Sequence, residues 1–220
     1  MTATLPSDLR DVFARCTVAE LVTIDGRGRP VAHSVVPAYR PGGPCIDVAD
    51  GAPEVGDPHV ALLFADDGPM VLVQGTAQVQ DVLHVRPERV YAWASGDPDA
   101  EPRLFDAHLE EVRSGHNEEP EVSHAGPEGG AALWDERLDG LDSALLACVG
   151  PDGFPFAVRV PVHADRAAGL VRIGADPVGA PIEPGVGCLR AAELRVRGDL
   201  EEEQGGWVLR PHAMVGAAER

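Results

Sequence analysis

Lysine is absent from this chain of 220 residues, and its eighteen basic residues are all arginine. The sequence therefore excludes any mechanism that needs an ε-amine of its own, such as a Schiff-base lysine or the lysine of a phosphate-binding P-loop. Long apolar runs are also missing, since no stretch approaches the roughly 18 residues of a membrane-spanning helix. The N-terminal residues MTATLPSDLRDVF lack the charged-then-apolar order of a secretory signal. These absences predict a cytoplasmic protein without a membrane partner.

Cysteine is sparse, and the cysteines that are present follow no ligand pattern. Cys16, Cys45, Cys148 and Cys188 are scattered without a CxxC pair, so we interpret them as buried thiols and predict no metal site. Signatures of hydrolases, zinc proteases and calcium loops (GxSxG, HExxH, DxDxDG) do not occur, and GRG at 26–28 lacks the third glycine of a dinucleotide fingerprint. The sequence thus predicts no catalytic side-chain constellation.

Basic residues are outnumbered by acidic ones, 18 against 36, which gives a net charge of −18 and a pI of about 4.7. Duplex nucleic acid and anionic membrane surfaces would be repelled by such a chain. We therefore expect no nucleic-acid partner, and the charge also argues against a transcriptional regulator.

Two segments of the chain share one order of elements. Residues 20–37, ELVTIDGRGRPVAHSVVP, and residues 144–161, ALLACVGPDGFPFAVRVP, each contain an apolar strand, a turn that ends in Pro30 or Pro155, and a second strand that closes on Val-Pro. Both continue with a loop, a short strand, a Pro/Gly-rich stretch and a strand that ends at Gly75 or Gly198. Equivalent positions stay about 123 to 128 residues apart, which indicates a duplicated all-β module. We expect the two copies to pack as a pseudo-dimer within the chain.

Turn signals divide each copy into short strands. They predict strands over 19–25, 31–40, 45–50, 59–65 and 70–80, and over 143–149, 156–163, 170–175, 186–192, 194–202 and 206–212. Apolar spacing predicts short helices over 7–15, 103–114 and 132–141, while VRPERVYAWA (85–94) fits a strand or a turn. The predicted organisation is a first barrel over 1–81, a helical and acidic linker over 82–131, and a second barrel over 132–220.

Arginines are concentrated in the strands of the second copy. They are Arg159, Arg172, Arg190, Arg195, Arg197 and Arg210. Arg195 and Arg197 are two residues apart in a strand, so they share one face, where a guanidinium can grip a phosphate bidentately. With Arg159 they form a candidate anion site opposite the strands of the first copy. The alternative is that these arginines face solvent and pair with the acidic run at 201–203.

Histidines in the linker repeat at intervals of eight residues among acidic neighbours: His108, His116 and His124. This spacing matches no zinc signature. We interpret the segment as a solvated acidic linker.

The order of these motifs resembles that of the FMN-binding split barrels of the pyridoxamine 5'-phosphate oxidase-like superfamily. The resemblance rests on GRPVAHSVVP, HVALLFAD and VLVQGTAQV in the first copy and on RVPV, LRVRGDL and GGWVLRPHAMVG in the second, and it spans most of the chain. It implies a mainly β fold of two tandem split β-barrels, antiparallel and Greek-key in topology, with a few short helices. Such barrels pair and hold a flavin in the groove between partners, so the second copy would take the place of the partner subunit.

The resemblance also implies which residues line the groove. In the first copy they belong to two strands whose counterparts lie along the flavin and toward its phosphate: His33, Ser34, Val35, Val48, Ala49 and Asp50. The segment that usually brings a Lys or Arg to the phosphate, DGAPEVGDPHVALLF, offers only Glu54, Asp57 and His59. The phosphate cations would therefore come from the second copy: Arg159, Arg195 and Arg197.

Two functions are consistent with this resemblance. The first is an oxidoreductase that acts on a small molecule and holds FMN, or a deazaflavin of similar shape, between the barrels; the flavin carries the redox chemistry, so no side-chain nucleophile is needed. The second is a duplicated barrel that has no flavin, or binds haem through His163 or His212, and serves as a binding or accessory protein. Exposed sheet edges leave room for two chains to pair as a homodimer.

Overall fold

Antiparallel strands form most of the computed structural model, which describes residues 7–39, 45–48, 53, 55–65, 69–94, 100–106, 133–174, 181–203 and 206–215. The α-helix of these residues, α1, spans Ser7–Arg15 and confirms the predicted lead-in helix. Its apolar residues Leu9, Val12 and Phe13 are buried in the core of the first sheet. Within the described residues, no helix has the length and apolar character needed to cross a membrane.

The first half of the chain, unit one, forms a sheet of eight strands. Its strands are β1 Ala19–Ile24, β2 Pro30–Val35, β3 Pro37–Tyr39, β4 Ile46–Val48, β5 His59–Ala65, β6 Met70–Val79, β7 Leu83–Trp93 and β8 Arg103–Asp106. Their order is β2-β1-β5-β6-β7-β4-β3, with β8 paired to β7. The end strands β2 and β3 are consecutive in the chain and are separated only by Val36. The two ends of the strand order are therefore joined by a single residue.

The second half, unit two, forms a closed barrel of six strands. These are β9 Ser143–Val149, β10 Pro155–Asp165, β11 Leu170–Ile173, β12 Gly185–Ala191, β13 Leu194–Glu203 and β14 Gly206–Met214. The barrel closes because β10 is long enough to pair with β9 through its first half and with β11 through its second. In unit one, two shorter strands, β2 and β3, take the place of this one long strand. The predicted mainly β, antiparallel fold is therefore confirmed, with an open sheet in unit one and a barrel in unit two.

The two units share one pairing scheme. Each pairing along the barrel path of unit one, from β1 with β2 to β4 with β7, has a counterpart between the strands at the same places of unit two. The registers agree as well, because a β-bulge falls between Gln74 and Gly75 in β6 and between Arg197 and Gly198 in β13. A Cβ added at Gly75 would lie 2.0 Å from a backbone oxygen of the facing strand, and one added at Gly198 would lie 2.4 Å from the corresponding oxygen. Only glycine fits at either bulge.

The first turns of the two units also match. Gly28 and Gly153 have φ angles of 75° and 81°, in the left-handed region that favours glycine. Each donates its N–H to the carbonyl oxygen three residues earlier at 2.9 Å. The β1–β2 and β9–β10 turns thus have the same backbone conformation and the same hydrogen bond.

Buried apolar side chains form two clusters. The first lies between the sheet of unit one and α1, where the rings of Phe13 and Phe64 are 4.7 Å apart. The second fills the barrel of unit two and continues onto the outer face of the unit-one sheet. That outer face is apolar: Val22, Ala32, Ala61, Leu63, Met70 and Leu72. Unit one therefore buries both faces of its sheet, one on its own core and one against unit two.

Three predicted features differ from the structure. Residues 103–106 form β8, which pairs with β7, and not the start of a helix over 103–114; the rest of that segment lies outside the described residues. The predicted boundary at 81 precedes β7, which pairs with β6, so unit one continues into the segment assigned to the linker. The helix predicted over 132–141 is a 3₁₀ helix over Glu136–Gly140, capped by Asp135.

Candidate functional site

The contact between the units is built from one row of side chains on each. Directly paired residues of neighbouring antiparallel strands place their side chains on the same face of a sheet. In unit one, pairing gives the unit-one row: Ser34, Glu20, Leu63 and Leu72. In unit two it gives the unit-two row: Arg159, Leu145, Arg190 and Arg195. The two rows occupy the same places in the shared pairing scheme, but one is acidic and apolar whereas the other is mostly basic.

Charged groups of the two rows meet at the centre of this contact. Arg190 donates through Nη1 to the carboxylate of Glu20 and through Nη2 to Ser34 Oγ, the latter at 3.0 Å. Arg159 Nη2 lies 3.7 Å from the second carboxylate oxygen of Glu20. The side chains of Glu20 and Arg190 are each 10% exposed, so removal of Glu20 would leave Arg190 buried without its acid, and removal of Arg190 would leave Glu20 with the exposed Arg159 alone. Arg190 Nε is buried and has no hydrogen bond with the residues described.

The bulge strands hold the first turn of the opposite unit. Gln74, which precedes the bulge glycine of β6, donates through Nε2 to the carbonyl oxygen of Pro155 at 2.9 Å. Arg197, its counterpart in β13, has Nη2 3.6 Å from Asp25 Oδ2 in the β1–β2 turn. Arg197 is buried, and its contact with Asp25 makes it part of the packing between units.

His33 lies next to Ser34 on β2, so the two side chains are on opposite faces of the sheet. His33 pairs with Leu21 of β1, and these two side chains share one face. Its side chain is partly exposed. Burial lowers the pKa of His33 to about 4, and the positive charges of Arg195 and Arg190 act in the same direction. The imidazole is therefore neutral at pH 7, and it is near enough to the unit-two row to be affected by its charges.

Arg195 differs from the other arginines of the unit-two row, because both Arg190 and Arg159 face Glu20. Among the residues that the structure describes, none forms an ion pair with Arg195. Its side chain is partly exposed and carries a guanidinium group. None of the described carboxylates would have to be displaced for an anion to bind there.

The structure does not bring all the predicted site residues together. Ser34, His33, Arg159 and Arg195 lie around the contact of the two rows. Val35 and Val48 are 7% and 0% exposed in the core of unit one, so only their backbone could reach a ligand. Two further residues of the predicted site lie outside the described residues: Ala49 and Asp50.

The histidines considered as haem ligands lie on β10 and β14. His163 is exposed on β10, while the side chain of His212 is 5% exposed, with Nε2 3.5 Å from Asp199 Oδ1. The three linker histidines lie outside the described residues: His108, His116 and His124. Across the described part of the chain, no group of three or more His, Cys, Asp or Glu side chains could hold a metal ion.

The cysteines follow the prediction only in part. Cys148 and Cys188 are buried, and burial raises the pKa of Cys148 to about 12. Cys16 and Cys45 are partly exposed, which corrects the prediction of four buried thiols. The difference follows from position, since Cys148 and Cys188 lie in central barrel strands and Cys16 and Cys45 lie at the ends of elements.

The acid at the centre of the contact was not among the predicted site residues. The signal for Glu20 is a charged residue in the otherwise apolar strand AELVTI. Its partner Arg190 is 170 residues away in the sequence, so no local pattern links the two.

Comparison with known proteins gives no relative, since no family model and no curated protein matches the chain. Function is therefore inferred from the residues at the contact between the units.

Proposed function

We propose that this chain is an oxidoreductase that holds FMN, or a deazaflavin of similar shape, between its two units and acts on a small molecule. The observation that carries this proposal is Arg195, a partly exposed cation at the unit contact, near the neutral His33 and without an acidic partner among the described residues. The anionic group of a bound cofactor would supply that partner through charge-assisted hydrogen bonds. The resemblance to split barrels supplies flavin as the ligand class, which is an analogy of fold.

The arrangement proposed for the units is a pseudo-dimer related by an approximate twofold axis. Contacts between the units occur in reciprocal sets: β10 packs against β5 and β1, and its counterpart β2 packs against their counterparts β12 and β9. Gln74 and its counterpart Arg197 both contact the first turn of the opposite unit, but at different places, Gln74 at Pro155 and Arg197 at Asp25. A twofold axis explains this reciprocity, because an isologous contact contains each interaction twice.

The residues at the contact fit a ligand that carries one anionic group. Arg195 would hold the phosphate, and Ser34 together with the backbone of β2 would face the flavin ring. His33, as a neutral imidazole, could both donate and accept a hydrogen bond. Bound flavin would supply hydride transfer. The chain itself would orient the ring, exclude water from it and neutralise the phosphate.

The region before β5 is occupied by other contacts. His59 Nδ1 is hydrogen-bonded to Asp57 Oδ1 at 2.8 Å, and its ring lies 4.4 Å from that of Phe154 in unit two. Arg89 lies over the same phenyl ring and is paired with Asp152. Of the described residues of this region, His59 and Arg89 are therefore engaged, which supports placing the anionic group at Arg195.

The second candidate is a duplicated barrel that lacks flavin, or binds haem, and acts as an accessory protein. One observation favours the haem form: His33 is a partly exposed imidazole at the unit contact, and imidazole is a common axial ligand of haem iron.

An absorbance spectrum of the purified protein separates these functions. We expect flavin bands, or binding of added FMN with a Kd of about 1 µM, roughly −8 kcal/mol. Arg195→Ala should weaken binding by about tenfold or more, because a hydrogen bond to a charged group contributes about 1.5–3 kcal/mol. Arg166→Ala is the control, since Arg166 is exposed in the β10–β11 turn and pairs with Glu136 and Asp139. A colourless protein that does not bind FMN would contradict the proposal, and a haem spectrum abolished by His33→Ala would support the second function.

A further inference from the structure

The proposed twofold axis pairs each position at one end of the unit contact with a counterpart at the other end. The Arg195 end comprises Val31, His33, Arg195 and Val215. The Leu72 end comprises their counterparts in the pairing scheme: Phe156, Val158, Leu72 and Tyr91. Val215 stands beside Arg195, since its N–H donates to the Arg195 carbonyl oxygen at 3.0 Å, just as Tyr91 pairs with Leu72.

Aromatic side chains from both units fill the Leu72 end. The rings of Tyr91 and Phe156 meet edge to face, with centroids 5.6 Å apart. Trp93 packs against both, at 6.2 Å from Tyr91 and 6.3 Å from Phe156. The four residues that define this end are 0% to 7% exposed, so no surface is left there for a ligand of flavin size.

The Arg195 end has smaller side chains in the same places and is not buried. Val31 stands in the place of Phe156, and Val215 stands in the place of Tyr91. All four residues of this end are partly exposed. The described side chains at this end are therefore smaller and more exposed than their counterparts at the Leu72 end.

The two ends differ in charge as well as in side-chain size. At the Arg195 end, Arg195 has no acidic partner among the described residues. At the Leu72 end, the arginine next to Val158 is Arg159, and it faces Glu20 at 3.7 Å. Of the arginines described at these two ends, Arg159 thus faces an acid and Arg195 does not.

We propose that each chain binds one planar ligand with an anionic group, at the Arg195 end, and that the pseudo-equivalent Leu72 end is closed by the chain's own aromatic side chains. The ligand class rests on the proposed function, whereas the number and place of the sites rest on the asymmetry of the two ends. A symmetric dimer of such barrels would have two equivalent sites. The tandem chain has one.

Calorimetric titration at low ionic strength tests this inference, first with inorganic pyrophosphate and then with FMN. We expect one site per chain for each probe. Arg195→Leu, which copies Leu72 onto this end, should weaken pyrophosphate about 10- to 100-fold. Arg195→Gln serves as a second variant, and urea unfolding of both establishes that they fold. Arg166→Ala, at a site distant in the chain and already paired, should bind as the wild type does.

The outcomes separate the two proposals. One Arg195-dependent pyrophosphate site without FMN binding would refute the proposed function and keep the single anion site. Two sites per chain, a site lost in Arg159→Ser but kept in Arg195→Leu, or no pyrophosphate binding would overturn the inference.

Discussion

Arg190 and Glu20 form an ion pair across the contact between the units, with each side chain 10% exposed. In the shared pairing scheme, Leu145 takes the place of Glu20 and Leu63 takes the place of Arg190. These two leucines are buried in the same apolar cluster. The same two places of the scheme are thus occupied by a charged pair in one case and by two leucines in the other. Replacing Glu20 and Arg190 by leucine is therefore a substitution for which the chain itself supplies the model.

Removal of one partner of this pair should destabilise the protein strongly. Arg190→Leu leaves the buried Glu20 with the exposed Arg159 at 3.7 Å as its cation, and we expect it to lower the free energy of unfolding by about 3 kcal/mol. Glu20→Leu combined with Arg190→Leu removes both charges and should lie within about 1 kcal/mol of the wild type. Urea unfolding measures both. Arg166→Leu, at an exposed ion pair, should change stability by less than about 1 kcal/mol; a double variant as unstable as the single one would contradict the expectation.

The bulge glycines should not tolerate a methyl group. Gly75→Ala and Gly198→Ala place a Cβ 2.0 Å and 2.4 Å from backbone oxygens, and the overpacking should cost about 2 kcal/mol or more. Thermal unfolding followed by circular dichroism measures the loss. The control is Gly26→Ala, because no atom lies within 4 Å of the added Cβ; if all three variants melted together, the bulges would not need glycine.

The low pKa of His33 predicts a pH dependence of stability. Burial and the charges of Arg195 and Arg190 lower its pKa from 6.5 to about 4. Between these values the unfolded chain binds more protons, so the free energy of unfolding falls as the pH decreases from 6.5 toward 4. We expect His33→Asn to lose about 1 kcal/mol less than the wild type between pH 7 and pH 5, a value reduced for solvent access to the ring. Parallel urea titrations that gave equal losses for both proteins would show that His33 is not responsible.

Thiol reactivity should separate the four cysteines. Burial raises the pKa of Cys148 to about 12 and also raises that of Cys188, so the native protein should carry no label there after iodoacetamide treatment at pH 8, because the thiolate is the reactive form. Cys16 and Cys45 are partly exposed and should be labelled first. Mass spectrometry of peptides gives the order, with urea-unfolded protein as the control in which all four react. Early labelling of Cys148 would mean that the barrel of unit two opens readily.

Strand positions followed from the sequence wherever turn residues bound an apolar run. The predictions for 59–65 and 143–149 agree with β5 and β9 to the residue. The sequence leaves β7 ambiguous, because Pro87 interrupts its pattern, yet Pro87 pairs with Gly75 at the bulge. A proline is tolerated at such a place, where the regular ladder is already broken. Its missing N–H thus marks the bulge and not the end of the strand.

The site was harder to predict because its partners come from different units. Alternation places Arg195 and Arg197 on one face, and the register confirms this. Their environments differ because tertiary packing brings Asp25 of unit one close to Arg197, a contact that no local spacing reveals. Packing also decided β8, whose Leu104 and Phe105 fit a helical pattern but pair with β7. Pairing with an existing strand outweighed a weak helical preference.

The acid of the unit contact lies in unit one and the bases lie in unit two, so the two contact faces differ in charge. Against a copy of itself, unit one would set Glu20 beside Leu63, and unit two would set Arg190 beside another arginine, Arg159. Two identical subunits could not separate these charges, because symmetry copies every substitution to both sides. Because the acid lies in one unit and the bases in the other, each unit has a contact face whose charges complement the other unit better than they complement a copy of itself.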